Sequence, residues 1–233
     1  MHWKIGSPQA PELIAMYNAL ADAGYDVIAP WMPWNTLDWT GDMCGAVNYI
    51  QELAAKEAVK GNDVIIAGHG MGATHALISG VAAAGSEVKG VVAIAPGHFP
   101  HLFTDRQAEI ATDIALAESM EASGDGDVIA VFNTYDVNAP IQISATASDY
   151  LSYHSLDRFP NILDVLSATS LPVLWLAGDL DPITSIFQTD LMFNRIPSQD
   201  SDYQVITGAD HSSIVADADT PIAISAWLGT LGL

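Results

Sequence analysis

Short runs of apolar residues alternate with longer amphipathic segments along most of the chain. The apolar runs predict strands at residues 27–30, 63–67, 88–96, 171–177 and 203–206. The intervening segments have helical periodicity and glycine stops, and they predict helices at residues 8–23, 46–59, 71–84 and 220–231. Strands that alternate with helices in this way are typical of an α/β domain with a largely parallel sheet.

The alternation breaks between residues 98 and 169. This stretch predicts a helix at 106–120, a turn at 124–127 and a strand at 128–134, followed by a polar and aromatic segment. An insertion of about seventy residues between two core strands is typical of a functional loop or lid. We therefore expect one domain, with a core of residues 1–97 and 170–233 and a cap over residues 98–169. A second small domain is the alternative.

The turn between the second predicted strand and the following helix carries the most chemical information. It reads Gly68-His69-Gly70-Met71-Gly72, with an apolar strand before it and an Ala/Leu-rich helix after it. Flanking glycines let a strand and a helix approach closely, and the central residue of such a turn is strained. The N-terminus of the helix offers free N–H groups to an oxyanion. This context is the one that a nucleophile elbow requires, whereas the Gly-Lys-Ser/Thr of a phosphate loop is missing.

On these residues the chain resembles the α/β-hydrolase superfamily, whose elbow usually reads Gly-His-Ser-Met-Gly. Residues 174–182 are similar to the strand and turn that carry the catalytic acid, and residues 205–211 to the last strand and the histidine loop. The resemblance implies an α/β-hydrolase fold, a mostly parallel twisted sheet flanked by helices. It also implies that Asp181 orients His211, with Asp179 as the alternative acid.

Glycine occupies the position of the nucleophile, and this departure changes the expected chemistry. Gly70 has no side chain, so the acyl-enzyme route is closed, although His211 can still act as a general base on water. The resemblance implies an ester or acyl hydrolase-like protein whose activity is absent or weak, with the N–H of Met71 in the oxyanion hole. A non-catalytic pseudo-hydrolase that binds a small apolar ligand is the alternative. An engineered removal and a natural loss of serine both fit the sequence.

The N-terminal residues resemble the loop that supplies a second oxyanion donor. They read Met-His-Trp-Lys-Ile-Gly-Ser-Pro, with Trp3 where the superfamily usually has glycine, and the strand expected before His2 is absent. Either the sheet lacks its early strands or a leading segment is missing. The chain as written is expected to be cytoplasmic, whereas a missing leader would make it secreted or periplasmic.

Aromatic and histidine side chains near the predicted turns are candidates for a substrate pocket. Trp31 lies on a loop with two further tryptophans after the strand at 27–30, and core packing is the alternative for this cluster. His98 follows the strand at 88–96, where ligands bind in open α/β sheets, and a solvated loop is the alternative. His69 lies in the elbow itself. His69 and His75 do not share a helix face, so we predict no metal site.

Composition narrows the class of partner. The chain has 28 acidic and 7 basic residues, a formal charge of -21, which argues against nucleic acid and anionic membrane surfaces. The longest segment without charge, residues 64–86, contains two histidines and five glycines, so a strand, turn and helix explain it better than a membrane span. The single cysteine, Cys44, excludes a disulfide framework. We expect a small-molecule substrate or ligand and no cofactor, and the oligomeric state is left open.

Overall fold

The computed structural model describes residues 1–83, 88–136 and 139–233. The strands are Val64–His69 (β1), Val88–Ile94 (β2), Ile129–Tyr135 (β3), Pro140–Thr146 (β4), Val173–Gly178 (β5) and Asp202–Ile206 (β6). Four of them form a parallel sheet in the order β1-β2-β5-β6, and β3 pairs with β4 as a separate antiparallel hairpin. A central parallel sheet confirms the predicted fold class.

Helices cover both faces of the central sheet. They are Pro11–Asp22 (α1), Met43–Ala58 (α2), Met71–Ala82 (α3), Thr104–Glu109 (α4), Ala111–Ala122 (α5), Ala147–His154 (α6), Ile162–Ala168 (α7), Ile186–Phe193 (α8) and Asp219–Thr230 (α9). A short 3-10 helix spans Ser213–Ala216. The helix predicted at 71–84 corresponds to α3, and the predicted end at Ala84 lies outside the described residues. In the described ranges, no helix combines the length and apolar character that crossing a bilayer requires.

Alternate residues of the central strands enter two apolar clusters on opposite sides of the sheet. Val91 and Ala93 of β2 belong to the first cluster, and Val92 and Ile94 belong to the second. The first cluster also contains residues of α2, α3 and the segment 98–169, whereas the second contains residues of α1 and α9. Since both faces are covered, β2 and β5 are apolar almost throughout, as parallel strands usually are.

The register of the strands aligns their carboxyl ends at one edge of the sheet. His69 at the end of β1 pairs with Ile94 of β2, Ile94 pairs with Leu176 of β5, and Gly178 pairs with Ile206 of β6. The loops that follow these strands therefore meet at this edge. These loops contain the elbow and the predicted acid and histidine, so the topology itself assembles the candidate site.

The segment from 98 to 169 folds as helices and a hairpin apart from the central sheet. The helix predicted at 106–120 is divided into α4 and α5 at Ile110, whose φ of -109° and ψ of 8° depart from helical values. The strand predicted at 128–134 corresponds to β3, and its partner β4 was not predicted. The hairpin contacts the loop before α2, where the N–H of Trp39 donates to the Ser144 carbonyl at 2.8 Å.

The predicted strand at residues 27–30 was wrong. These residues adopt no regular structure, and the side chains of Val27 and Ile28 are 38% and 50% exposed. They border an apolar groove of about 490 Å³ beside β1, the edge strand of the sheet. An apolar run becomes a strand only when a neighbouring strand takes its backbone hydrogen bonds, and the described residues supply none here.

Candidate active site

The turn at residue 70 has the backbone of a nucleophile elbow. Gly70 has φ 57° and ψ -122°, a conformation that side chains disfavour, and it lies between β1 and the first residue of α3. A Cβ added to Gly68 would overlap the carbonyl oxygen of Gly72, and a Cβ added to Gly72 would lie 2.5 Å from the carbonyl oxygen of His2. Glycine is therefore required on both sides, because backbone approaches backbone there.

The imidazole of His211 faces this turn. Its Nε2 atom lies 3.2 Å from the position that a Cβ at residue 70 would occupy. Its Nδ1 atom donates to Oδ2 of Asp181 at 2.9 Å, and both side chains are largely buried. The other carboxylate oxygen of Asp181 accepts the N–H of Ile183 at 2.7 Å. The carboxylate is thus fixed behind the imidazole, as in a pair that orients a general base.

The alternative acid, Asp179, has a different position. Its Oδ1 atom accepts the N–H of Gly208 at 2.6 Å, in the turn that follows β6. It therefore fastens the start of the histidine loop to the end of β5, and it does not contact the imidazole. Of the two aspartates proposed from the sequence, the structure brings Asp181 to His211.

The ring of His69 is hydrogen-bonded to the backbone of the loop that carries His211. Its Nε2–H donates to the carbonyl oxygen of His211 at 2.6 Å, and the two rings lie 5.4 Å apart. Burial, and secondarily the neighbouring His211, lower the pKa of His69 to about 3. The ring is therefore neutral at ordinary pH, and a carbonyl acceptor places its single proton on Nε2. His69 lines the cavity described next, and its hydrogen bond positions His211.

A cavity of about 520 Å³ opens above the elbow. His211, Met71 and Gly97 form its floor, and residues 102–106 and 135–136 of the inserted segment form much of its wall. Its lining includes four charged residues, Lys4, Asp105, Arg106 and Asp136. The elbow therefore faces an open cavity whose lining carries charges of both signs.

Both residues predicted for the oxyanion hole border the vacant Cβ position. Met71 is the first residue of α3, so its N–H has no acceptor within the helix. The Cβ atom of Trp3 lies 3.2 Å from the same position, and the Trp3 ring contacts His69 edge-on with the ring centroids 5.3 Å apart. A carbonyl oxygen bound here would meet the positive end of the α3 dipole.

Of the three predicted pocket residues, His69 and His98 line the cavity and Trp31 does not. His98 lines the cavity with φ 75°, and its Nε2–H donates to the Tyr153 carbonyl at 2.8 Å. Burial lowers the pKa of His98 well below its usual value, so it is neutral. Trp31, in contrast, is 51% exposed and lies outside the cavity lining, so the structure does not bring it to the site. Trp34, three residues later, turns into the core and leaves Trp31 facing solvent.

Three further polar side chains near the elbow and after β2 pack against aromatic rings or donate to backbone carbonyls. His75 is buried in the aromatic core, where its ring centroid lies 4.5 Å from that of Trp34. His101 donates to the Phe159 carbonyl at 2.9 Å and lies outside the cavity lining. The hydroxyl of Thr74 in α3 donates to the Gly97 carbonyl.

Two features of the cavity were not predicted from the sequence. Gly97 lies beside the imidazole, where a Cβ would come within 3.1 Å of Cε1 of His211. Lys4 and Arg106 bring positive charge into the cavity although the chain has only 7 basic residues. Lys4 follows Trp3 in the loop that resembles an oxyanion loop, and that adjacency was the available signal.

A parallel sheet with an elbow and a buried Asp–His pair at the carboxyl edge defines the α/β-hydrolase class of proteins. The family model described as "Serine aminopeptidase, S33" (Hydrolase_4) matches residues 37–218. The chain therefore belongs to this family of α/β-hydrolases. A comparison with curated protein sequences gives no match.

Solved structures with this fold include esterases and a lipase. Est1E from Butyrivibrio proteoclasticus superposes with a TM-score of 0.67 at 15% identity, covering 99% of this chain and 85% of that chain. A monoacylglycerol lipase from Paleococcus ferrophilus gives 0.70 at 19% identity, covering 99% and 93%. MenH from S. aureus gives 0.64 at 15% identity, covering 100% and 93%. At these identities the likeness shows the fold alone.

Proposed function

We propose that the chain binds an ester or a related acyl compound at an α/β-hydrolase site that lacks its nucleophile, so that its hydrolytic activity is absent or weak. The observation that carries this proposal is the 3.2 Å distance from Nε2 of His211 to the vacant Cβ position at Gly70. A hydroxyl on that Cβ would lie within hydrogen-bonding reach of the imidazole. His211, Asp181 and the proposed oxyanion donors surround the position that the oxygen of a serine at residue 70 would occupy.

The chain as it stands can hydrolyse an ester only if water replaces the missing serine as the nucleophile. A water molecule beside Gly70 can lose a proton to Nε2 of His211 as its oxygen attacks the carbonyl carbon, and Asp181 stabilises the resulting imidazolium. The N–H of Met71 then holds the negative oxygen, and the imidazolium returns the proton to the leaving alkoxide. Enzymes that lose a triad member retain roughly 10³–10⁴-fold catalysis over water from the oxyanion hole and substrate binding. This level is low for an esterase.

The lining of the cavity favours a polar acyl compound over the apolar ligand of the alternative hypothesis. Lys4, Asp105, Arg106 and Asp136 all border the space. A purely apolar ligand would displace water from these charged groups and would offer them no hydrogen bonds. A compound with a carbonyl and further polar groups can form hydrogen bonds with both the oxyanion donors and these charged side chains.

Hydrolysis of chromogenic esters by the chain and by Gly70→Ser tests this proposal. We expect Gly70→Ser to exceed the parent by at least ~10³-fold, because it supplies the attacking oxygen. Gly70→Ala is the matched control, since it introduces the same strained Cβ without a nucleophile. Each variant is expected to lose about 1–3 kcal/mol of stability because of the positive φ at this position.

The outcomes separate the competing functions. Weak parent activity that His211→Ala abolishes would support the water route. A folded Gly70→Ser that hydrolyses no ester, with unchanged far-ultraviolet circular dichroism, would contradict the proposal and favour a binding protein.

A further inference from the structure

A strained turn holds Lys4 inside the cavity. The N–H of Gly6 donates to the carbonyl of Trp3 at 3.0 Å, which closes a four-residue turn with Lys4 at its second position. Ile5, at the third position, has φ 56°. A β-branched residue rarely adopts this conformation, which costs roughly 1–3 kcal/mol and is retained where surrounding contacts enforce it. Such strain next to a cavity points to a functional placement of the preceding side chain.

The ammonium group of Lys4 is buried among neutral partners. The residue is 8% exposed, and its Nζ donates to Oγ1 of Thr134 at 3.1 Å and to the carbonyl of Tyr135 at 2.5 Å. It also lies 4.5 Å from the centroid of the Tyr135 ring. An ammonium has three N–H donors, and these contacts use two of them. Among the described residues, no carboxylate oxygen lies within 4.0 Å of it.

Lys4 and the elbow border the same space. The Cα of Trp3 lies 3.8 Å from the vacant Cβ position at Gly70, and Lys4 is the next residue. The backbone of Lys4 is therefore within about 8 Å of that position, because consecutive Cα atoms are 3.8 Å apart. The ammonium donates to the carbonyl of Tyr135, and Tyr135 lines the same cavity, so the ammonium lies at the cavity wall. Arg106 adds a second cation to the cavity lining, which also contains the carboxylates of Asp105 and Asp136.

Burial of a cation without an anion is unfavourable, and a ligand can provide the anion. Removing an ammonium from water costs several kcal/mol unless a charged partner compensates. Asp136 on the same cavity wall attracts the ammonium electrostatically, but no described carboxylate oxygen lies within 4.0 Å of Nζ. A ligand carboxylate would form a charge-assisted hydrogen bond with the third N–H and remove the penalty.

We propose that Lys4 binds a carboxylate group of the acyl compound, so that the site selects substrates that carry a negative charge besides the reacting carbonyl. This inference rests on the proposed function, because it uses the same cavity and assigns the acyl carbonyl to the elbow. It requires only binding, and it can be tested on the chain as it stands.

Because Lys4 can be protonated or neutral, binding of a carboxylate ligand is coupled to proton uptake. Burial lowers the pKa of Lys4 to about 7, so most of the Lys4 side chain is neutral at pH 8 in the empty site. The charged and titratable groups that face it from the neighbouring elements are Asp136, Arg106, His98, His154 and Tyr135. A bound carboxylate favours the charged form, so binding at pH 8 takes up protons.

Calorimetric titration with two related esters tests the inference. We expect monomethyl glutarate, a half-ester with a free carboxylate, to bind the parent at least ~10-fold more tightly than dimethyl glutarate. Lys4→Met retains the apolar stem and is expected to abolish this difference, whereas Lys4→Arg retains a large part of it. Lys89→Met, at an exposed lysine of β2 that pairs with Asp63, is the matched control and keeps the full difference.

The same titration in two buffers of different ionisation enthalpy measures proton uptake. Uptake by the parent at pH 8 that disappears in a folded Lys4→Met supports the role of the ammonium, because loss of packing alone would not change it. Equal binding of the two esters, binding of neither at millimolar concentration, or discrimination that survives in folded Lys4→Met would overturn the inference.

The failure of this inference can be distinguished from failure of the proposed function. If Gly70→Ser hydrolyses neutral esters as fast as half-esters, the proposed function stands and the carboxylate site is wrong. If the parent prefers the half-ester through Lys4 while Gly70→Ser stays inert, the carboxylate site stands and the proposed function is wrong.

Discussion

Three neighbouring residues determine where the imidazole of His211 lies. Asp181 accepts the proton on Nδ1 at 2.9 Å, and His69 donates to the backbone carbonyl at 2.6 Å. Gly97 leaves space beside the ring, since a Cβ there would lie 3.1 Å from Cε1 and 3.6 Å from Nε2. At the scale of single residues, the candidate site therefore consists of a positioned imidazole and a glycine without a side chain opposite it.

A methyl group at residue 97 is expected to displace this base. In the Gly70→Ser background, Gly97→Ala should lower kcat/KM by about 10–100-fold, because a small misplacement of a catalytic group costs about that much. Gly41→Ala is the control, since its Cβ would make only ordinary contacts of 3.6 Å and 3.7 Å with Pro33. Full activity of the Gly97→Ala double variant would show that His211 does not act from the observed position.

The residues of the site differ in how far the sequence reveals them. Gly70, Asp181 and His211 have recognisable local contexts, each a strand followed by a short turn, and the structure brings them together. Lys4 has no such context, because its burial depends on Thr134 and Tyr135, which are about 130 residues away. Trp31 was assigned to the pocket from its position on a loop, and sequence alone does not say which tryptophan of that loop faces inward.

At the scale of elements, the junction of β1 and α3 is the most constrained part of the fold. A Cβ on Gly68 would overlap the carbonyl oxygen of Gly72 and lie 2.7 Å from the backbone nitrogen of Ala73. Both are backbone atoms, which cannot move aside as a flexible side chain can. The elbow thus combines the position of the proposed nucleophile with a tight packing contact.

Gly68→Ala is expected to destabilise the fold severely, by more than about 3 kcal/mol, or to prevent folding. Urea unfolding and the soluble yield measure this effect. The control is Gly229→Ala in α9, where a Cβ meets no atom within 4 Å, and we expect a gain of about 0.5–1 kcal/mol from helix propensity. Similar stability of the two variants would contradict the packing described for the elbow.

The central elements are predictable because their sequence pattern and their surroundings agree. The run that forms β2 is apolar and is covered on both faces, so its pattern alone indicates a buried strand. The run at 27–30 is equally apolar, but it fails to form a strand because no described strand bonds to it. The hairpin strand β4 was missed although its sequence, Pro-Ile-Gln-Ile-Ser-Ala-Thr, alternates in the way that a half-buried strand does, and its partial exposure agrees with that pattern.

At the scale of the whole molecule, buried neutral histidines accompany a strongly acidic composition. His75 is enclosed in the core, and neither ring nitrogen has a hydrogen-bond partner among the described residues. Burial lowers its pKa to about 3. In the unfolded chain the pKa is about 6.5, so the unfolded state binds a proton first as the pH falls.

The stability that follows from neutral His75 is complete above pH 6.5 and is lost as the pH falls toward 3. Between pH 7.5 and pH 5, His75→Phe is expected to lose about 2 kcal/mol less stability than the parent, because each pH unit below 6.5 costs ~1.4 kcal/mol per buried histidine. Urea unfolding at the two pH values measures the difference. The same pH dependence in both proteins would show that this histidine is protonated without unfolding.

The central claim is that one side chain separates this site from a working one. Intact-mass spectrometry of Gly70→Ser after treatment with a fluorophosphonate, which reacts with activated serines, tests it most directly. The account predicts one adduct on Gly70→Ser, and none on the parent or on Gly70→Ser combined with His211→Ala. A folded Gly70→Ser that stays unmodified, or that is modified equally without His211, would contradict it.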